Sequence, residues 1–458
     1  MERIRLADVS RALGQPPGGD RDLAVTGVSI DTRTLARGDL FVAIRGERFD
    51  GHAFVIEAFE RGASAAIVAE DRGAARDLGP TVLVEDTVTA LQDLSAWYRG
   101  RFQPRLVAVT GTNGKTTTKD MAAGALSMTM STLKTEGNLN NHIGVPLTLF
   151  GLTRDHAAAV VEMGMNHPGE IARLAEVARP DVGVITNVAR AHLETMEDLD
   201  TIARAKGELL EALPADGVAV LNADDPRVMA QAARTQAGVR TFGLSEAAGT
   251  RAVAIDESAS GVTFELADGA TVALPVPGRH NVMNALAALA VSRALGVDPG
   301  EAARGIASFV PSAMRMAIVR NAGCTILNDA YNANPGSLAA ALETLVAVAA
   351  GRPTAAVLGD MLELGSESRA AHREAGGRAA TLGIDYLFLF GSEVAALAEG
   401  AEASGMSRER VRHYETKAAL AQDLEALLPE HAVVLLKGSR GMRMEEVVEL
   451  LGREAPAS

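Results

Sequence analysis

Short runs of β-branched and other apolar residues alternate with Ala- and Leu-rich helical stretches along almost the whole chain. The apolar runs are "RLVAVT", "AAVVEMG", "VGVITNV", "GVAVLNADD", "PTAAVLGD", "YLFLFG" and "AVVLLKGS". Such runs are typical of buried strands, and helices between them are typical of parallel pairing. The alternation therefore predicts α/β domains with mostly parallel sheets and with ligand sites at the carboxyl ends of the strands.

Two interruptions divide this alternation. The first lies near "EDTVTALQDLSAWYRGRFQPR", where a helical stretch and Pro104 precede an apolar run, and the second lies near "GIASFVPSAMRMAIV", where Pro311 follows an Ala-rich segment. A chain of 458 residues is long enough for about three domains of ordinary size. We therefore expect domains at about residues 1–84, 85–312 and 313–458.

Charge and composition exclude several classes of protein. The formal net charge is −14, so no basic field is available to hold nucleic acid or an anionic membrane, and any phosphate must be bound locally. The single Cys324 rules out an intrachain disulfide and fits a reducing compartment. The N-terminus "MERIRLADVSRALG" lacks the apolar core of a signal peptide, and no apolar run approaches the length of a membrane span. We expect a cytoplasmic protein that is by default a monomer.

The segment "RLVAVTGTNGKTTTKDM" has the strand, Gly-rich turn and helix of a phosphate-binding loop. Gly111 and Gly114 allow backbone N–H groups to turn towards an anion, and the helix N-terminus that follows favours negative charge. Lys115 would reach the β- and γ-phosphates of a nucleotide, and the Thr116 hydroxyl would bind Mg²⁺. The usual pattern has a Gly where this chain has Val109, which disfavours a common GTPase or kinase loop. The alternative for a Gly-Lys-Thr segment is a structural turn without a ligand.

Three further polar residues follow apolar runs. Glu162 in "AAVVEMGMNHPGE" is either a solvated carboxylate at a strand end or the hard oxygen ligand that Mg²⁺ prefers. His192 in "VGVITNVARAHLETM" is a lone histidine, a residue that more often makes a structural hydrogen bond than binds a ligand. Lys206 in "IARAKGELLEAL" lies among alanines on a helix, and a surface lysine is the plainer interpretation. The residues alone leave these alternatives open.

Two amides stand one helical turn apart at the start of the predicted helix "PGRHNVMNALAALAVSRAL". The i, i+3 spacing of Asn281 and Asn284 puts both side chains on one face of that helix. Asparagines in this position can cap the helix or bind the edge of an adenine ring.

Together these segments resemble the Mur ligases of peptidoglycan synthesis. "GTNGKTTT", "EMGMNHPGE", "ITNVARAHLE", "AKGEL" and "GRHNVMNALAA" are similar to the central domain of that family, in which the compressed phosphate loop is the normal form. Within the family the MurF type is the most similar, through "EGNLNNHIGVPLTLF", "NDAYNANPGSLAAAL", "GDMLELGSES" and "LLKGSRGMRMEEVV". The segment "VSIDTRTLARGDLFVAIRGERFDGHAFV" resembles a uridine-nucleotide domain, so the similarity covers nearly the whole chain.

The resemblance implies an α/β protein of three domains. A smaller N-terminal α/β domain would bind the UDP-muramoyl-peptide, a central phosphate-loop domain would bind ATP, and a Rossmann-like C-terminal domain would bind the amine. The implied activity is an ATP-dependent ligase that joins D-alanyl-D-alanine to UDP-N-acetylmuramoyl-tripeptide through an acyl phosphate. One alternative is the ligase that adds the third residue, although its expected Asp-Asn-Pro-Arg segment is absent here. The other is an ATP-driven switch or assembly protein.

The resemblance also implies roles for single residues. Lys115 and Thr116 match positions that hold the ATP phosphates and Mg²⁺, Glu162 matches a Mg²⁺ ligand, and His192 matches a ligand of a second Mg²⁺. Lys206 matches a lysine that is carbamylated and so becomes an anionic metal ligand. The implied nucleotide-binding residues are Gly111, Thr112, Asn113, Gly114, Lys115, Thr116, Thr117, Asn281, Asn284, Arg315 and Asp329. The implied substrate-binding residues are Ser29, Asp31, Thr32, Arg33, Asn138, Asn141, Asn332, Asn334 and Ser337.

Overall fold

A computed structural model describes residues 1–16, 21–69, 78–190, 196, 198–258, 260–321, 323–429 and 431–451. The strands are β1 Ile4–Arg5, β2 Ala24–Val25, β3 Gly27–Ser29, β4 Asp39–Val42, β5 Ala65–Val68, β6 Thr81–Leu83, β7 Arg105–Thr110, β8 Thr132–Lys134, β9 Ala158–Glu162, β10 Val182–Ile185, β11 Val218–Asn222, β12 Gly238–Gly243, β13 Thr250–Ser258, β14 Gly261–Leu266, β15 Thr271–Leu274, β16 Ala317–Asn321, β17 Cys324–Asn328, β18 Thr354–Gly359, β19 Tyr386–Phe390, β20 Val411–Tyr414 and β21 Val433–Lys437. The helices are α1 Leu6–Ala12, α2 Val55–Glu60, α3 Thr87–Arg99, α4 Lys115–Ser127, α5 Gly144–Leu149, α6 Glu170–Ala178, α7 Leu199–Glu211, α8 Pro226–Ala230, α9 Arg279–Ala294, α10 Pro299–Ala307, α11 Pro335–Ala349, α12 Ser368–Thr381, α13 Val394–Ala403, α14 Lys417–Leu427 and α15 Glu445–Leu450.

The longer strands form three sheets that follow one another along the chain. The first is a parallel sheet in the order β3-β4-β5-β6. The central sheet has the order β15-β14-β13-β12-β11-β10-β7-β9-β8. Its seven strands from β13 across to β8, including β7, pair in parallel, and β13, β14 and β15 form an antiparallel meander. The third has the order β16-β17-β21-β18-β19-β20, and only its edge strand β16 runs antiparallel to its neighbour. The predicted α/β class with mostly parallel sheets is confirmed, and each of the seven quoted apolar runs contains a strand.

Strand β7 shows why these runs are continuously apolar. Leu106 and Ala108 belong to the core that α3 helps to form, whereas Val107 and Val109 belong to the core that contains α4 and α9. All four side chains are fully buried. Because both faces of the strand are covered, no position along it favours a polar residue.

The order of the central sheet creates a crevice beside the end of β7. Its neighbours are β9 on one side and β10 on the other, and all three strands are parallel. In open parallel sheets ligands bind outside the carboxyl ends of the strands, at the point where successive connections go to opposite sides. The turn that follows β7 therefore lies at the position where a ligand is expected.

The helix that follows this turn is held firmly against its neighbours. Helix α4 packs on α9 and α10, and a Cβ on Gly124 would lie only 2.9 Å from the carbonyl oxygen of Gly305. Glycine at this contact lets the two helices approach closely, so the N-terminus of α4 has a fixed position at the crevice. Among the described helices, none is both long and apolar enough to cross a membrane.

Candidate active site

Residues 111–114 connect β7 to α4 through two glycines that no other residue could replace without strain. The φ angle is 148° at Gly111 and 80° at Gly114, a region that favours glycine. A Cβ would lie 1.8 Å from Oγ1 of Thr186 at Gly111 and 2.2 Å from Oδ1 of Asn284 at Gly114. The loop is therefore fitted between the end of β10 and α9, and Thr112, Asn113 and Gly114 line the crevice.

The side chain of Lys115 folds back over this loop. Its Nζ donates to the carbonyl oxygens of Gly111 at 3.0 Å and Thr112 at 3.1 Å. Burial lowers the pKa of Lys115, and the nearby Glu162 carboxylate opposes that shift. The lysine, the loop N–H groups and the positive end of the α4 dipole together make a site for an anionic group.

Glu162 at the end of β9 is buried, so the interpretation of a solvated carboxylate is wrong; only 1% of the residue is exposed. Its Oε2 accepts from Oγ1 of Thr116 at 2.8 Å, and its Oε1 accepts from Nδ2 of Asn140 at 2.7 Å. The backbone N–H of Glu162 donates to Oγ1 of Thr135 at 3.0 Å, and Nζ of the buried Lys119 donates to the Thr135 carbonyl at 2.6 Å. The carboxylate is thus oriented beside the phosphate loop by Thr116 and Asn140, and Thr135 holds the backbone of Glu162.

On the other side of the loop, residues at the end of β10 hold it in place. Oγ1 of Thr186 donates to the Asn113 carbonyl at 2.6 Å, and Nδ2 of Asn187 donates to the same oxygen at 3.1 Å. Oδ1 of Asn187 accepts from the Asn113 N–H at 2.9 Å. The sequence interpretation did not identify Thr186, Asn187 or Asn140, although each follows an apolar run or lies in a quoted segment. His192 lies outside the described residues.

Lys206 on α7 is buried, with 4% of the residue exposed, so the interpretation of a surface lysine is wrong. A cavity of about 20 Å³ lies between it and the phosphate loop, lined in part by Gly111, Lys115 and Met196. Within the described part of the chain, Lys206 Nζ makes no hydrogen bond and no ion pair. Burial lowers its pKa well below the usual value, and the charge of Lys115 lowers it further.

The two predicted amides of α9 lie against the back of the phosphate loop. Asn281 and Asn284 are buried, and Nδ2 of Asn284 donates to Oδ1 of Asn281 at 3.2 Å. Nδ2 of Asn281 donates to the Pro277 carbonyl at 2.7 Å, and Oδ1 of Asn284 accepts from Oγ1 of Thr118 at 3.3 Å. The expected placement on one face is confirmed, and the N-cap of α9 is Gly278 rather than either asparagine.

The start of α11 brings the third sheet to the phosphate loop. Nδ2 of Asn334 donates to Oδ1 of Asn113 at 2.7 Å, and Nδ2 of Asn113 donates to Oδ1 of Asn334 at 3.3 Å. Asn334 is also the N-cap of α11, where its Oδ1 accepts from the Ser337 N–H at 2.9 Å. Oδ1 of Asn332 accepts from the next backbone N–H. All three predicted residues of this segment line the same cleft.

Arg315 and Asp329 also face the cleft from the third sheet. The Arg315 guanidinium lies 3.9 Å above the ring of Tyr331, where the ring face attracts a cation. Asp329 forms an ion pair with the buried Lys437 at 2.5 Å and accepts from the Met316 N–H at 3.1 Å. These contacts fix both charges at the side of the cleft opposite the phosphate loop.

The cleft between these elements has a volume of about 630 Å³. Its described lining runs from the phosphate loop through Glu162 to the third sheet, and it includes Thr117 and Asn141. Asn138 is exposed and outside this lining. A cavity of this size can hold a nucleotide together with part of a second ligand.

The predicted residues of the N-terminal sheet lie away from this cleft. Ser29 ends β3, and its Oγ accepts from the Asp31 N–H at 3.2 Å. Thr32 is buried, and the exposed Arg33 guanidinium pairs with Asp31 at 2.6 Å, which lowers the pKa of that carboxyl to about 2. This group therefore belongs to a different site from the phosphate loop.

The chain is similar to known proteins along nearly its whole length. Three family descriptions match consecutive segments: the Mur ligase family, catalytic domain over residues 24–99, the Mur ligase middle domain over 109–292, and the Mur ligase, glutamate ligase domain over 314–440. A UDP-N-acetylmuramoyl-tripeptide–D-alanyl-D-alanine ligase of Bacillus subtilis is 38% identical over 437 residues, which cover 95% of this chain and 94% of the relative.

Solved structures show the same similarity. A crystal structure of MurF from Acinetobacter baumannii matches with a TM-score of 0.89 and 31% identity, and the match covers 98% of this chain and 99% of that one. A MurF ligase from Thermotoga maritima in complex with ADP matches with a TM-score of 0.81 and 31% identity, covering 93% and 96% of the two chains. Similarity of this extent shows that the chain belongs to the Mur ligase family, among its MurF-type members.

Proposed function

We propose that this protein joins D-alanyl-D-alanine to UDP-N-acetylmuramoyl-tripeptide in a reaction driven by ATP, and so completes the peptide of a peptidoglycan precursor. The observation that carries the proposal is the cleft, in which a phosphate loop and a buried carboxylate face groups of the third sheet across one cavity. Such a cavity can bring a nucleotide and an amine together. The full-length Bacillus subtilis relative, which is named as a ligase for these substrates, supports the choice of substrates.

In this proposal ATP lies along the phosphate loop. The loop N–H groups, the start of α4 and Lys115 hold the phosphates, while Asn281 and Asn284 lie where they can contact the adenosine. Arg315 and Asp329 close the cleft from the other side. The solved relative from Thermotoga maritima, which is in complex with ADP, supports an adenine nucleotide as the ligand.

A divalent cation fits beside the phosphates. Mg²⁺ is commonly held by one or two carboxylates together with waters and substrate phosphates, so the paired Thr116 hydroxyl and Glu162 carboxylate offer a sufficient protein contribution. Among the described residues, no group of three or more His, Cys, Asp or Glu side chains is placed to hold a metal. His192 would serve a second cation from the segment outside the described residues. The ion would supply charge neutralisation on the transferring phosphoryl group.

The reaction proceeds in two steps. A terminal carboxylate oxygen of the tripeptide attacks the γ-phosphorus of ATP, ADP leaves, and an acyl phosphate forms. The free amine of D-alanyl-D-alanine then attacks the acyl carbon, and the tetrahedral intermediate loses a proton and phosphate to give the amide. Phosphoryl transfer asks the protein mainly for positioning and charge neutralisation, which Lys115 and the loop N–H groups provide. The cleft wall from the third sheet would keep water from the acyl phosphate.

Lys206 is proposed to react with CO₂. A neutral amine attacks CO₂ and releases a proton, which leaves an N-carboxylate on the lysine. Lys206 meets the requirement for a neutral amine, because it is buried beside another lysine and has no anionic partner within the described residues. The resulting anion would lie next to Lys115 and could contribute to a second cation site.

The other two substrates are assigned to the first and the last of the three regions of the chain. The UDP-muramoyl-peptide is proposed to bind the N-terminal region 1–84, with the central region 85–312 for ATP and the region 313–458 for the dipeptide. The proposed substrate-binding residues remain Ser29, Asp31, Thr32, Arg33, Asn138, Asn141, Asn332, Asn334 and Ser337.

Phosphate release from ATP tests this function. With UDP-N-acetylmuramoyl-tripeptide present, we expect release with D-alanyl-D-alanine and little with single amino acids. Turnover with UDP-N-acetylmuramoyl-dipeptide and one amino acid would instead identify the ligase for the third residue. Release that needs no acceptor would favour an ATP-driven switch.

The carbamate is tested separately on Lys206. Incubation with ¹³C-bicarbonate should give a carbamate carbon signal in the NMR spectrum of the wild-type protein and none in Lys206→Ala. The same variant should lose activity and regain part of it with added short carboxylic acids. Absence of both the signal and the rescue would remove this role from Lys206.

A further inference from the structure

One guanidinium in the cleft has a free hydrogen-bonding edge. Of the four Lys and Arg side chains among the described lining residues, Lys115 and Lys437 are hydrogen-bonded, and Arg315, which stacks on Tyr331, is already assigned to the nucleotide. The fourth, Arg440, is 53% exposed. Its Nη1 donates to Oε1 of Glu445 at 2.5 Å and lies 3.9 Å from Sδ of Met314. Neither Nε nor Nη2 of Arg440 has a partner among the described residues.

Arg440 belongs to a wall made of two loops, residues 360–364 and 438–441, which we name the outer wall. The Ser439 N–H donates to the Asp360 carbonyl at 3.0 Å, and the Leu362 N–H donates to Oγ of Ser439 at 2.8 Å. A Cβ on Gly441 would lie 3.1 Å from a methyl carbon of Leu362. The two loops are thus joined tightly, and the backbone that carries the Arg440 side chain has a fixed position.

The outer wall also carries apolar surface. Leu362 is 43% exposed, and both Leu362 and Leu364 line the cleft. A cation beside apolar side chains matches a ligand that has a carboxylate next to small apolar groups. D-Alanyl-D-alanine is such a ligand, since it has one carboxylate and a methyl group on each of its two residues.

We propose that the Nε–Nη2 edge of Arg440 binds the carboxylate of the incoming dipeptide, while Leu362 contacts its methyl groups. A carboxylate accepts two parallel hydrogen bonds from such an edge. Glu445 keeps the guanidinium in place through the opposite nitrogen. This assignment rests on the proposed function, because it names the group that recognises the amine substrate of that reaction.

The same contact would select the length of the amine substrate. When the amine lies at the acyl carbon, the carboxylate of a dipeptide reaches about 3.5 Å further than that of a single amino acid. A single amino acid would leave Arg440 without its partner. The guanidinium therefore discriminates between a dipeptide and one residue.

The first experiment compares Arg440→Gln with Arg443→Gln. Arg443 lies three residues further along, is 68% exposed, pairs with Glu446 and does not line the cleft, so it controls for lost surface charge. We expect Arg440→Gln to raise the KM for D-alanyl-D-alanine by about 10- to 100-fold, the effect of one charge-assisted contact, with kcat and the KM for ATP changed by less than about twofold. Arg440→Lys, which keeps the charge but not the forked edge, should lie in between.

A substrate analogue tests the same contact without relying on a variant. D-Alanyl-D-alaninamide lacks the carboxylate, so the wild-type protein should prefer the free acid and Arg440→Gln should lose that preference. An unchanged KM in Arg440→Gln, an equal effect of Arg443→Gln, or a wild-type protein that accepts acid and amide alike would overturn the proposal. If the wild-type protein does not turn over with the dipeptide at all, the proposed function fails as well.

Discussion

Alanine at Gly114 should weaken nucleotide binding, whereas alanine at Gly169 should not, although both glycines stand before a helix in the left-handed region. The φ angle is 80° at Gly114, before α4, and 88° at Gly169, before α6. A residue with a Cβ costs about 1–2 kcal/mol in this region at either position. The two positions differ in their surroundings: the new Cβ would lie 2.2 Å from Oδ1 of Asn284 at Gly114, whereas nothing lies within 4 Å of it at Gly169.

Asn284 must therefore move in Gly114→Ala. Its amide would give up hydrogen bonds to Thr118 at 3.3 Å and to Asn281 at 3.2 Å. Each such bond contributes about 0.5–1.5 kcal/mol, so the displacement adds about 1–3 kcal/mol to the backbone cost. We expect the unfolding free energy of Gly114→Ala to lie below that of Gly169→Ala by this amount.

The affinity for ATP should separate the two variants as well. Displacement of Asn284 and of the loop should weaken ATP binding by about 10-fold or more in Gly114→Ala, and Gly169→Ala should bind ATP like the wild type. Isothermal titration calorimetry gives the affinities and urea unfolding gives the stabilities. Equal ATP affinities in the two variants would refute the reasoning, because the contact with Asn284 would then have no effect on the nucleotide site.

Three further predictions concern single contacts. Asn113→Ala should cost about 1–2 kcal/mol in the opening free energy of α11, since two amide bonds are lost; Asn334→Ala should cost about 1 kcal/mol more, because it also removes the cap. Hydrogen exchange should give the same opening free energy for the variant with both substitutions as for Asn334→Ala alone. Additive costs of the two substitutions would contradict the pairing. Arg33→Gln should raise the pKa of Asp31 from about 2 towards 3.8 in an NMR titration; because folding lowers this pKa, the pair stabilises the protein above pH 3.8 and loses that effect as the pH falls through 2. Lys119→Met should leave a buried carbonyl without its donor, cost about 1–3 kcal/mol and speed amide exchange at residues 132–135, whereas unchanged exchange would exclude this role.

The strands and the phosphate loop could be predicted because their determinants are local. A continuously apolar run such as that of β7 predicts a strand that is buried on both faces, and both faces of β7 are covered. The strand, the turn and the start of α4 are contiguous, so their spacing alone places Lys115 and Thr116 at one helix end. The i, i+3 spacing of Asn281 and Asn284 likewise predicted their common face.

The identity of the groups around Glu162 could not be predicted in this way. Asn138, Asn140 and Asn141 lie within four residues, and only tertiary packing directs Asn140 to the carboxylate while Asn138 stays exposed. The reciprocal amide pair of Asn113 and Asn334 joins residues that are 221 positions apart.

Burial of Lys206 also depends on distant parts of the chain. Alanines around it on α7 fit a surface helix as well as a packed one, so only the usual exposure of lysine favoured the surface interpretation. The structure buries the lysine because α7 lies against the central sheet beside the phosphate loop. Whether Lys206 is buried or exposed is decided only by packing between elements that are far apart in sequence.

The proposed reaction depends on activation of the tripeptide carboxylate as an acyl phosphate and on transfer of the acyl group to the dipeptide amine. The most direct measurement uses UDP-N-acetylmuramoyl-tripeptide labelled with ¹⁸O in its terminal carboxylate, with ATP and D-alanyl-D-alanine, followed by mass spectrometry of both products. We expect one ¹⁸O in the released phosphate and one in the new amide of the pentapeptide product. Unlabelled phosphate, or phosphate release without a peptide product, would contradict the account.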